Sequence, residues 1–248
     1  MLEYSRVCTT LFYKSIITLA KACMSPVENS FEVATFSPAE SIIFEQIIHD
    51  LDQQKYHIAD AFFSKAEAQQ LRNHILQIYQ QHDFHAAAIG NAQQEQIIQS
   101  IRGDRILWID ETLSNDIEMM FFSKVNRLIQ YLNQTCYMGI VESEFHYAVY
   151  GAGTFYQKHV DAFQNDDRRT LSMVLYLNDE DWQNEFGGQL TLYVPDETGQ
   201  EQALDVLPLL GRLAIFNSKT ILHEVKTVQH TRYSITGWLK TRPMSLHI

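Results

Sequence analysis

The chain has 248 residues, 46% of them hydrophobic, and carries a formal net charge of −11 at pH 7. Such a chain can bury a full core, and a β-barrel with flanking helices commonly reaches this size as one domain. The acidic balance favours a protein or small-molecule partner over nucleic acid or an anionic membrane, because phosphate binding relies on clustered lysine and arginine. The three cysteines, Cys8, Cys23 and Cys136, lack disulfide or metal spacing, which is typical of a reducing, cytoplasmic compartment.

The first residues form a separate segment. An apolar run over residues 7–20 is interrupted by Lys14 and is preceded by both Glu3 and Arg6. It is too short and too polar to span a bilayer, and its charges do not match a secretory signal. Two interpretations remain: a frayed extension, or an upstream start codon with Met24 as the native first residue. We expect a poorly ordered N-terminal extension at 1–36 and a short tail at 243–248.

Three helices are predicted in the first half of the chain. Ser37 and Glu40 form a capping box with proline at the first helical position, and Ser64 and Glu67 form a second capping box. A third helix is predicted over residues 116–134. The apolar residues expected to face the core are Ile42, Ile43, Ile47 and Leu51, then Leu71, Ile75 and Ile78, then Ile117, Phe121, Val125, Leu128 and Leu132.

The second half of the chain alternates apolar and polar residues in the manner of β-strands. The apolar positions of three such strands are Phe145, Tyr147 and Val149, then Leu171, Met173, Leu175 and Leu177, then Leu190, Leu192 and Val194. Helices followed by antiparallel strands predict an α+β protein whose helices brace one face of a double-stranded β-helix, or jelly roll. We therefore predict a helical support region with the first strands at 37–140 and the jelly-roll core at 141–242.

A candidate metal site combines His159 and Asp161 with His223, which lies far downstream. Residues two apart on a strand point to the same face, so the first two side chains can reach one ion. The H-x-D pair alone is common by chance, and a single histidine is more often a surface or hydrogen-bonded residue. His223 follows a separate apolar strand at 213–216 and would complete the set. Two imidazoles and one carboxylate leave open positions on the ion, as in non-haem Fe(II) enzymes.

Arg232 begins another predicted strand nine residues after His223. Period-2 alternation places Arg232 on one face with Ser234, Thr236 and Trp238. The opposite face carries Tyr233, Ile235 and Leu239. An arginine that points into a barrel needs an anion, and a carboxylate bound by two parallel hydrogen bonds is its natural partner.

Together these motifs resemble the Fe(II)/2-oxoglutarate dioxygenases, and among them the prolyl 4-hydroxylase branch of the hypoxia-inducible-factor type and its bacterial relatives. The resemblance extends from Tyr56 to Arg242. It rests on the segments 101–109 (IRGDRILWI), 150–161 (YGAGTFYQKHVD), 175–178 (LYLN), 187–190 (GGQL), 223–225 (HEV) and 232–238 (RYSITGW). Collagen-type prolyl hydroxylases usually carry lysine where Arg232 stands, which favours the other branch. Nucleic-acid demethylases of the superfamily carry a second arginine where Trp238 stands, so a base-repair role is disfavoured.

The resemblance implies a role for each candidate site residue. The iron ligands would be His159, Asp161 and His223. The distal carboxylate of 2-oxoglutarate would bind Arg232 and Tyr176, in a pocket that is also lined by Tyr150, Leu190, Thr236 and Trp238. The implied reaction is hydroxylation of a C–H bond by Fe(II), 2-oxoglutarate and O2, with release of succinate and CO2 and with ascorbate as the reductant.

The resemblance also indicates a substrate, a prolyl residue hydroxylated at C4 in a flexible loop of a cytosolic protein, with elongation factor Tu as a candidate. Segment 101–109 resembles the part that closes over a bound peptide. The contact residues would be Arg102, Arg105, Trp108 and Tyr156, although the tryptophan and the tyrosine fit a core position as well. Arg102-Gly-Asp104 fits a tight turn better than an integrin ligand. Two alternatives remain: a related oxygenase acting on a small molecule or another side chain, and a non-catalytic binding protein of this fold.

Overall fold

The computed structural model describes residues 35–60, 62–82, 84–87, 101–162 and 168–242. The predicted tail and nearly all of the predicted N-terminal extension lie outside these residues, so both stay predictions. Among the described residues, no helix combines the length and the apolar composition that a membrane span requires.

Three helices precede most of the strands, as predicted: α1 (Pro38–Gln53), α2 (Lys65–Gln81) and α3 (Asp116–Cys136). The first two helices begin at the predicted capping boxes, in which the serine hydroxyl accepts a backbone N–H and the glutamate accepts the serine's own N–H. A third capping box, between Asn115 and Glu118, starts α3. Each box satisfies backbone donors that the first turn of a helix leaves unpaired.

One position of the predicted helical stripes is wrong. Ile42 is 71% exposed, whereas Phe44, which the prediction omitted, is 4% exposed and packs in the core with Ile47. Ile42 and Ile47 are five residues apart and therefore lie about 140° apart around a helix of 3.6 residues per turn. The buried face of α1 passes through Ile43, Phe44, Ile47 and Leu51 instead.

The strands form two antiparallel sheets, consistent with the predicted α+β jelly roll. The eleven strands among the described residues are β1 (Tyr56–Ala59), β2 (His85–Ala86), β3 (Arg105–Ile109), β4 (Ile140–Tyr150), β5 (Tyr156–His159), β6 (Arg169–Tyr176), β7 (Leu190–Pro195), β8 (Glu201–Val206), β9 (Leu213–Asn217), β10 (Leu222–Val225) and β11 (Arg232–Thr241). The larger sheet has the order β1-β9-β6-β11-β4-β3-β2, and the smaller has the order β5-β10-β7-β8. Short 3-10 helices cover Glu111–Leu113 and Asn184–Phe186.

The larger sheet separates two hydrophobic clusters. One face packs against the three helices, through alternate residues of β4 such as Phe145 and Tyr147 and through Ile235 and Leu239 of β11. The other face packs against the smaller sheet and contributes residues such as Tyr150 and Tyr176. The helices therefore brace one face of the jelly roll, as predicted, and the candidate site lies on the opposite face, between the sheets.

Candidate active site

The three predicted metal ligands converge at the end of the smaller sheet. His159 and His223 are paired residues of β5 and β10, and their rings are 4.2 Å apart between centroids. Nε2 of His159 lies 3.5 Å from Oδ1 of Asp161, and Nε2 of His223 lies 3.6 Å from Oδ2. The three ligand atoms all lie within 4.8 Å of one another, which is a separation that a single ion can bridge.

The prediction that Asp161 lies on a strand with His159 is wrong in its detail. Strand β5 ends at His159, and Asp161 lies in the bend that follows. Its backbone N–H donates to the carbonyl of Ser218, and the hydroxyl of Ser172 lies 2.6 Å from Oδ2. Contacts with the larger sheet, rather than the pleat of β5, therefore orient the carboxylate.

Each imidazole is held so that Nε2 faces the carboxylate. Nδ1 of His159 lies 2.7 Å from the carbonyl oxygen of Gln157, and Nδ1 of His223 lies 3.1 Å from that of Ile221. A protonated Nδ1 can donate to these carbonyls, which leaves the lone pair on Nε2 for a metal.

Burial and neighbouring groups together set the protonation states of His223 and Asp161. Burial lowers the pKa of His223 to about 4, although the carboxylate of Asp161 acts in the opposite direction. Burial alone would raise the pKa of Asp161, but His223, His159 and the Ser172 hydroxyl outweigh it and hold that pKa well below its usual range. A neutral imidazole beside a carboxylate is the protonation state that metal binding requires.

Arg232 is the second unusual group. The residue is only 2% exposed, and its guanidinium lies 5.0 Å from the ring centres of both Tyr150 and Tyr176. Its Nε has no hydrogen-bond partner among the described residues, and its NH1 makes only a long contact of 3.4 Å with the hydroxyl of Ser234. A buried guanidinium without a carboxylate partner is costly, so this position suits an acidic ligand.

The surroundings of Arg232 support the same conclusion. The hydroxyl of Tyr176 is buried and has no hydrogen-bond partner in the described part of the chain. Burial raises the pKa of Tyr176 to about 12, with Arg232 opposing the shift, so the hydroxyl stays protonated and can donate. Gly188 leaves room for the arginine, because a Cβ at this residue would lie 2.9 Å from Cδ of Arg232.

One cavity connects most of the predicted site residues. The predicted residues that line it are Arg102, Tyr150, Tyr156, His159, Asp161, Leu190, His223, Arg232, Thr236 and Trp238. Tyr176 lies beside Arg232, and neither Arg105 nor Trp108 is among the lining residues. The alternation predicted for β11 is confirmed, since Arg232, Thr236 and Trp238 face the cavity while Ile235 and Leu239 face the helices.

The predicted substrate contacts do not share one face of the larger sheet. Arg102 and Tyr156 line the cavity, and Trp108 is paired with the cavity residue His146. Arg105 is paired with Val149 on the opposite face, which packs against the helices, so it does not adjoin the cavity. Arg102 pairs with Asp104 at 2.6 and 2.9 Å and lies 4.8 Å above the ring of Tyr156, which in turn stacks on His159 at 3.7 Å. Asp104 is 1% exposed, so the Arg-Gly-Asp segment does not present its acid to a receptor. Trp108 is 53% exposed, and the interpretation of this residue as a core tryptophan is therefore wrong.

Sequence reasoning missed several residues of the cavity, of which His146 is the most informative. This histidine lies on β4 and shares a face with Tyr150, four residues further on. Its place on that alternating face could have identified it from the sequence. The other lining residues that were missed are Asp104, Ala148, Val174, Phe216 and Val225.

Comparison with known proteins identifies the family. A sequence model of the 2OG-Fe(II) oxygenase superfamily matches residues 145–240. A prolyl-4-hydroxylase from Pseudomonas putida is 32% identical, and the match covers 81% of this chain and 100% of that one with a TM-score of 0.71. The chain belongs to the 2OG-Fe(II) oxygenase superfamily. The predicted family is thereby confirmed, and the protein is a dioxygenase.

Two further structures are similar to this oxygenase. A prolyl hydroxylase from Trichoplax adhaerens, solved with a peptide fragment of the oxygen degradation domain of hypoxia-inducible factor, is 26% identical over 82% of this chain and 90% of that one, with a TM-score of 0.72. A viral collagen prolyl hydroxylase from Paramecium bursaria Chlorella virus-1 is 17% identical over 77% and 98%, with a TM-score of 0.52, and shares the fold.

Membership of the superfamily implies Fe(II), 2-oxoglutarate and O2 as the reacting partners of the enzyme. The residues present fit this set. Two imidazoles and one carboxylate converge as a possible iron site, and a buried guanidinium and a buried tyrosine hydroxyl in the adjoining region are without an acidic partner among the described residues.

Proposed function

We propose that this enzyme is a prolyl hydroxylase that acts on a protein substrate at C4 of the target proline. The observation that carries the proposal is the combination, around one cavity, of the His-Asp-His cluster with the buried and incompletely bonded guanidinium of Arg232. The first feature suits Fe(II), and the second suits the distal carboxylate of 2-oxoglutarate.

His159, Asp161 and His223 hold the iron. When bound, Fe(II) and 2-oxoglutarate together supply the oxidising power for hydroxylation, and the protein supplies binding and orientation. The carbonyls that contact Nδ1 of the two imidazoles fix their rings, and Ser172 fixes the carboxylate. These outer contacts keep the ligand atoms directed at one point before the metal binds.

Arg232 and Tyr176 bind the distal carboxylate of the cosubstrate, the arginine through its guanidinium and the tyrosine through its free hydroxyl. The resemblance also places Tyr150, Leu190, Thr236 and Trp238 in this pocket, and all four line the cavity. All of them except Thr236 are buried, so they exclude water from the reacting groups.

A prolyl substrate is supported by two of the similar structures. The Pseudomonas putida and Trichoplax adhaerens proteins are prolyl hydroxylases, and the second was solved with a peptide. The exposed Trp108, whose ring lies 4.9 Å from that of the cavity residue His146, offers a flat apolar surface for a proline ring.

The two predicted arginine contacts, Arg105 and Arg102, already have partners in the structure. Arg105 is exposed, but it lies on the helix-side face of the larger sheet and donates to the carbonyl of Phe84, so we do not propose it as a substrate contact. Arg102 is already paired with Asp104, so it serves mainly to hold Tyr156 against His159. We propose that the substrate is cytoplasmic, with elongation factor Tu as a candidate, and that ascorbate keeps the iron reduced.

The test uses the purified full-length enzyme with Fe(II), 2-oxoglutarate, ascorbate and short blocked peptides that cover the prolines of cytosolic proteins, including elongation factor Tu. Succinate is measured, and the site of oxidation is located by fragmentation mass spectrometry. The proposal expects succinate formation coupled to the gain of one oxygen atom on a proline. Consistent oxidation of another side chain or of a metabolite, with proline untouched, would replace the substrate while leaving the metal and cosubstrate sites in place. Complete absence of succinate would contradict the proposed catalysis.

A further inference from the structure

His146 is buried in the wall of the cavity without a hydrogen bond. The residue is 1% exposed, and neither Nδ1 nor Nε2 has a partner among the described residues. Nε1 of Trp238, which lines the same cavity, is also buried and unpaired. The two rings lie 5.5 Å apart between centroids.

Unpaired polar atoms of this kind are rare in folded proteins and call for an explanation. A neutral imidazole carries one donor and one acceptor, and an indole carries one donor. Leaving such groups buried and unpaired destabilises the protein, so they concentrate where a ligand completes the bonding. Burial lowers the pKa of His146 well below its ordinary value, with Arg102 and Arg169 acting in the same direction, and the ring is therefore neutral.

The guanidinium of Arg169 fixes the orientation of the Trp238 ring. The guanidinium of Arg169 lies 3.5 Å from the centre of the indole ring, and it is itself bonded to the carboxylate of Glu144 at 2.8 Å. The indole N–H is thus a preorganised donor rather than a mobile side chain.

His146 lies at the opposite end of the cavity from the cosubstrate clamp. In the larger sheet, Arg232 pairs with Tyr150, whereas Thr236 pairs with His146. Four residues of a strand separate their Cα atoms by about 13 Å, so the two pairs occupy different parts of the cavity wall. The His146 end also adjoins Trp108, whose exposed ring lies 4.9 Å from the imidazole. This end therefore adjoins an exposed part of the protein surface, from which a substrate can enter. Trp238, which the resemblance placed in the cosubstrate pocket, belongs to this end.

We propose that His146 is a substrate-binding residue that donates a hydrogen bond to a main-chain carbonyl beside the target residue, with Nε1–H of Trp238 as a second donor. This inference rests on the proposed function. The peptide bond that precedes a proline has no N–H and presents only its carbonyl oxygen. A wall with two donors matches this acceptor, and the contact would orient the target ring relative to the three metal ligands.

The test compares two buried histidines that differ in their partners. His146→Leu removes polar atoms that have no partner within the described protein. His57→Leu removes an imidazole whose Nδ1 lies 2.6 Å from Asp50 and which is not among the residues that line the cavity. His146→Gln restores a donor and an acceptor. For each full-length variant, we would measure thermal stability, affinity for 2-oxoglutarate with Mn(II), and affinity for the blocked proline peptides by fluorescence anisotropy in the absence of oxygen.

We expect His146→Leu to bind peptide about tenfold more weakly, to recover partly as His146→Gln, and to keep its affinity for 2-oxoglutarate and its Tm. His57→Leu should show a lower Tm and unchanged peptide affinity. Unchanged peptide affinity in His146→Leu would overturn the inference, and so would its failure to fold, because the imidazole would then be a structural group. If the wild-type enzyme binds 2-oxoglutarate but no proline peptide, the proposed substrate fails, and the inference fails with it, while the metal and cosubstrate sites stand.

Discussion

The hydroxyl of Ser172 lies 2.6 Å from Oδ2 of Asp161 and 2.8 Å from the hydroxyl of Ser218. Ser172 belongs to β6 of the larger sheet, whereas Asp161 follows β5 of the smaller one. A residue of the larger sheet therefore orients the carboxylate of Asp161, a candidate metal ligand that follows a strand of the smaller sheet. Outer contacts of this kind orient a ligand and tune its affinity for the metal.

We predict that Ser172→Ala weakens metal binding about 10- to 100-fold, as is usual when a hydrogen bond to a ligand is lost. The substitution also leaves the Ser218 hydroxyl without its Ser172 partner. Calorimetric titration with Mn(II) measures the affinity. Ser143→Ala, on β4 of the same sheet and outside the cavity, is the matched control. Equal affinities for the two variants would show that the serine does not support the ligand.

Substitution of a metal ligand should have a larger effect than Ser172→Ala. Asp161→Ala and His223→Ala should each abolish turnover of 2-oxoglutarate, because an ion held by two groups loses both affinity and geometry. The fold should persist, since the cavity forms at one face of a large hydrophobic core. Mn(II) and Co(II) should bind the wild-type enzyme without supporting turnover, because imidazole and carboxylate ligands suit all three ions. Succinate measurement with circular dichroism checks both points, and turnover in either purified variant would refute the ligand set.

Substitution of Arg232 should impair the use of 2-oxoglutarate, whereas substitution of an arginine outside the cavity should not. Arg232→Ala removes the partner of a desolvated carboxylate, at a cost of about 2 to 5 kcal/mol by comparison with buried charge pairs. We predict that the 2-oxoglutarate concentration required for half-maximal rate rises at least about tenfold. Arg242→Ala, at an exposed residue near the chain end, is the matched control. Similar effects of the two substitutions would show that the clamp is misassigned.

A binding experiment separates this role from catalysis. With Mn(II) present, 2-oxoglutarate should raise the Tm of the wild-type enzyme, because a ligand that binds only the folded state stabilises it. The shift should persist in Arg242→Ala and be largely lost in Arg232→Ala. An undiminished shift in Arg232→Ala would place the cosubstrate elsewhere.

The capping boxes of the support helices should contribute to stability. Ser64 is the N-cap of α2, and Ser64→Ala removes the side-chain acceptor for the backbone N–H of Glu67. We therefore predict that the free energy of unfolding falls by about 1 kcal/mol. Ser123→Ala, at an exposed position inside α3, should be neutral or slightly stabilising, because alanine is the better helix former. Urea denaturation measures both. A neutral effect of Ser64→Ala would show that tertiary packing alone sets this helix end.

Local patterns in the sequence predicted the elements that depend on local rules. Contacts within a few residues determine the capping boxes at Ser37 and Ser64 and the alternation along β11. These features can therefore be predicted from the sequence. The box at Asn115 follows the same rule and could have been read. The two-sided burial of β4 and β11 then places the site residues on one face.

Features that depend on tertiary contacts were not predictable in this way. Asp161 falls beyond the end of β5, and its orientation depends on Ser172 and Ser218, which are distant in sequence. The unpaired ring of His146 becomes informative only when its neighbours are known, because a histidine on an apolar face is usually hydrogen-bonded. The spacing of residues in a sequence does not show whether a buried side chain has a hydrogen-bond partner.

The most direct test of the proposed site is a crystal structure of the enzyme with Mn(II) and 2-oxoglutarate. We expect one metal ion bound by Nε2 of His159, a carboxylate oxygen of Asp161 and Nε2 of His223, with the distal carboxylate of 2-oxoglutarate on Arg232 and the hydroxyl of Tyr176. A metal bound by other residues, or 2-oxoglutarate bound away from Arg232, would contradict the account.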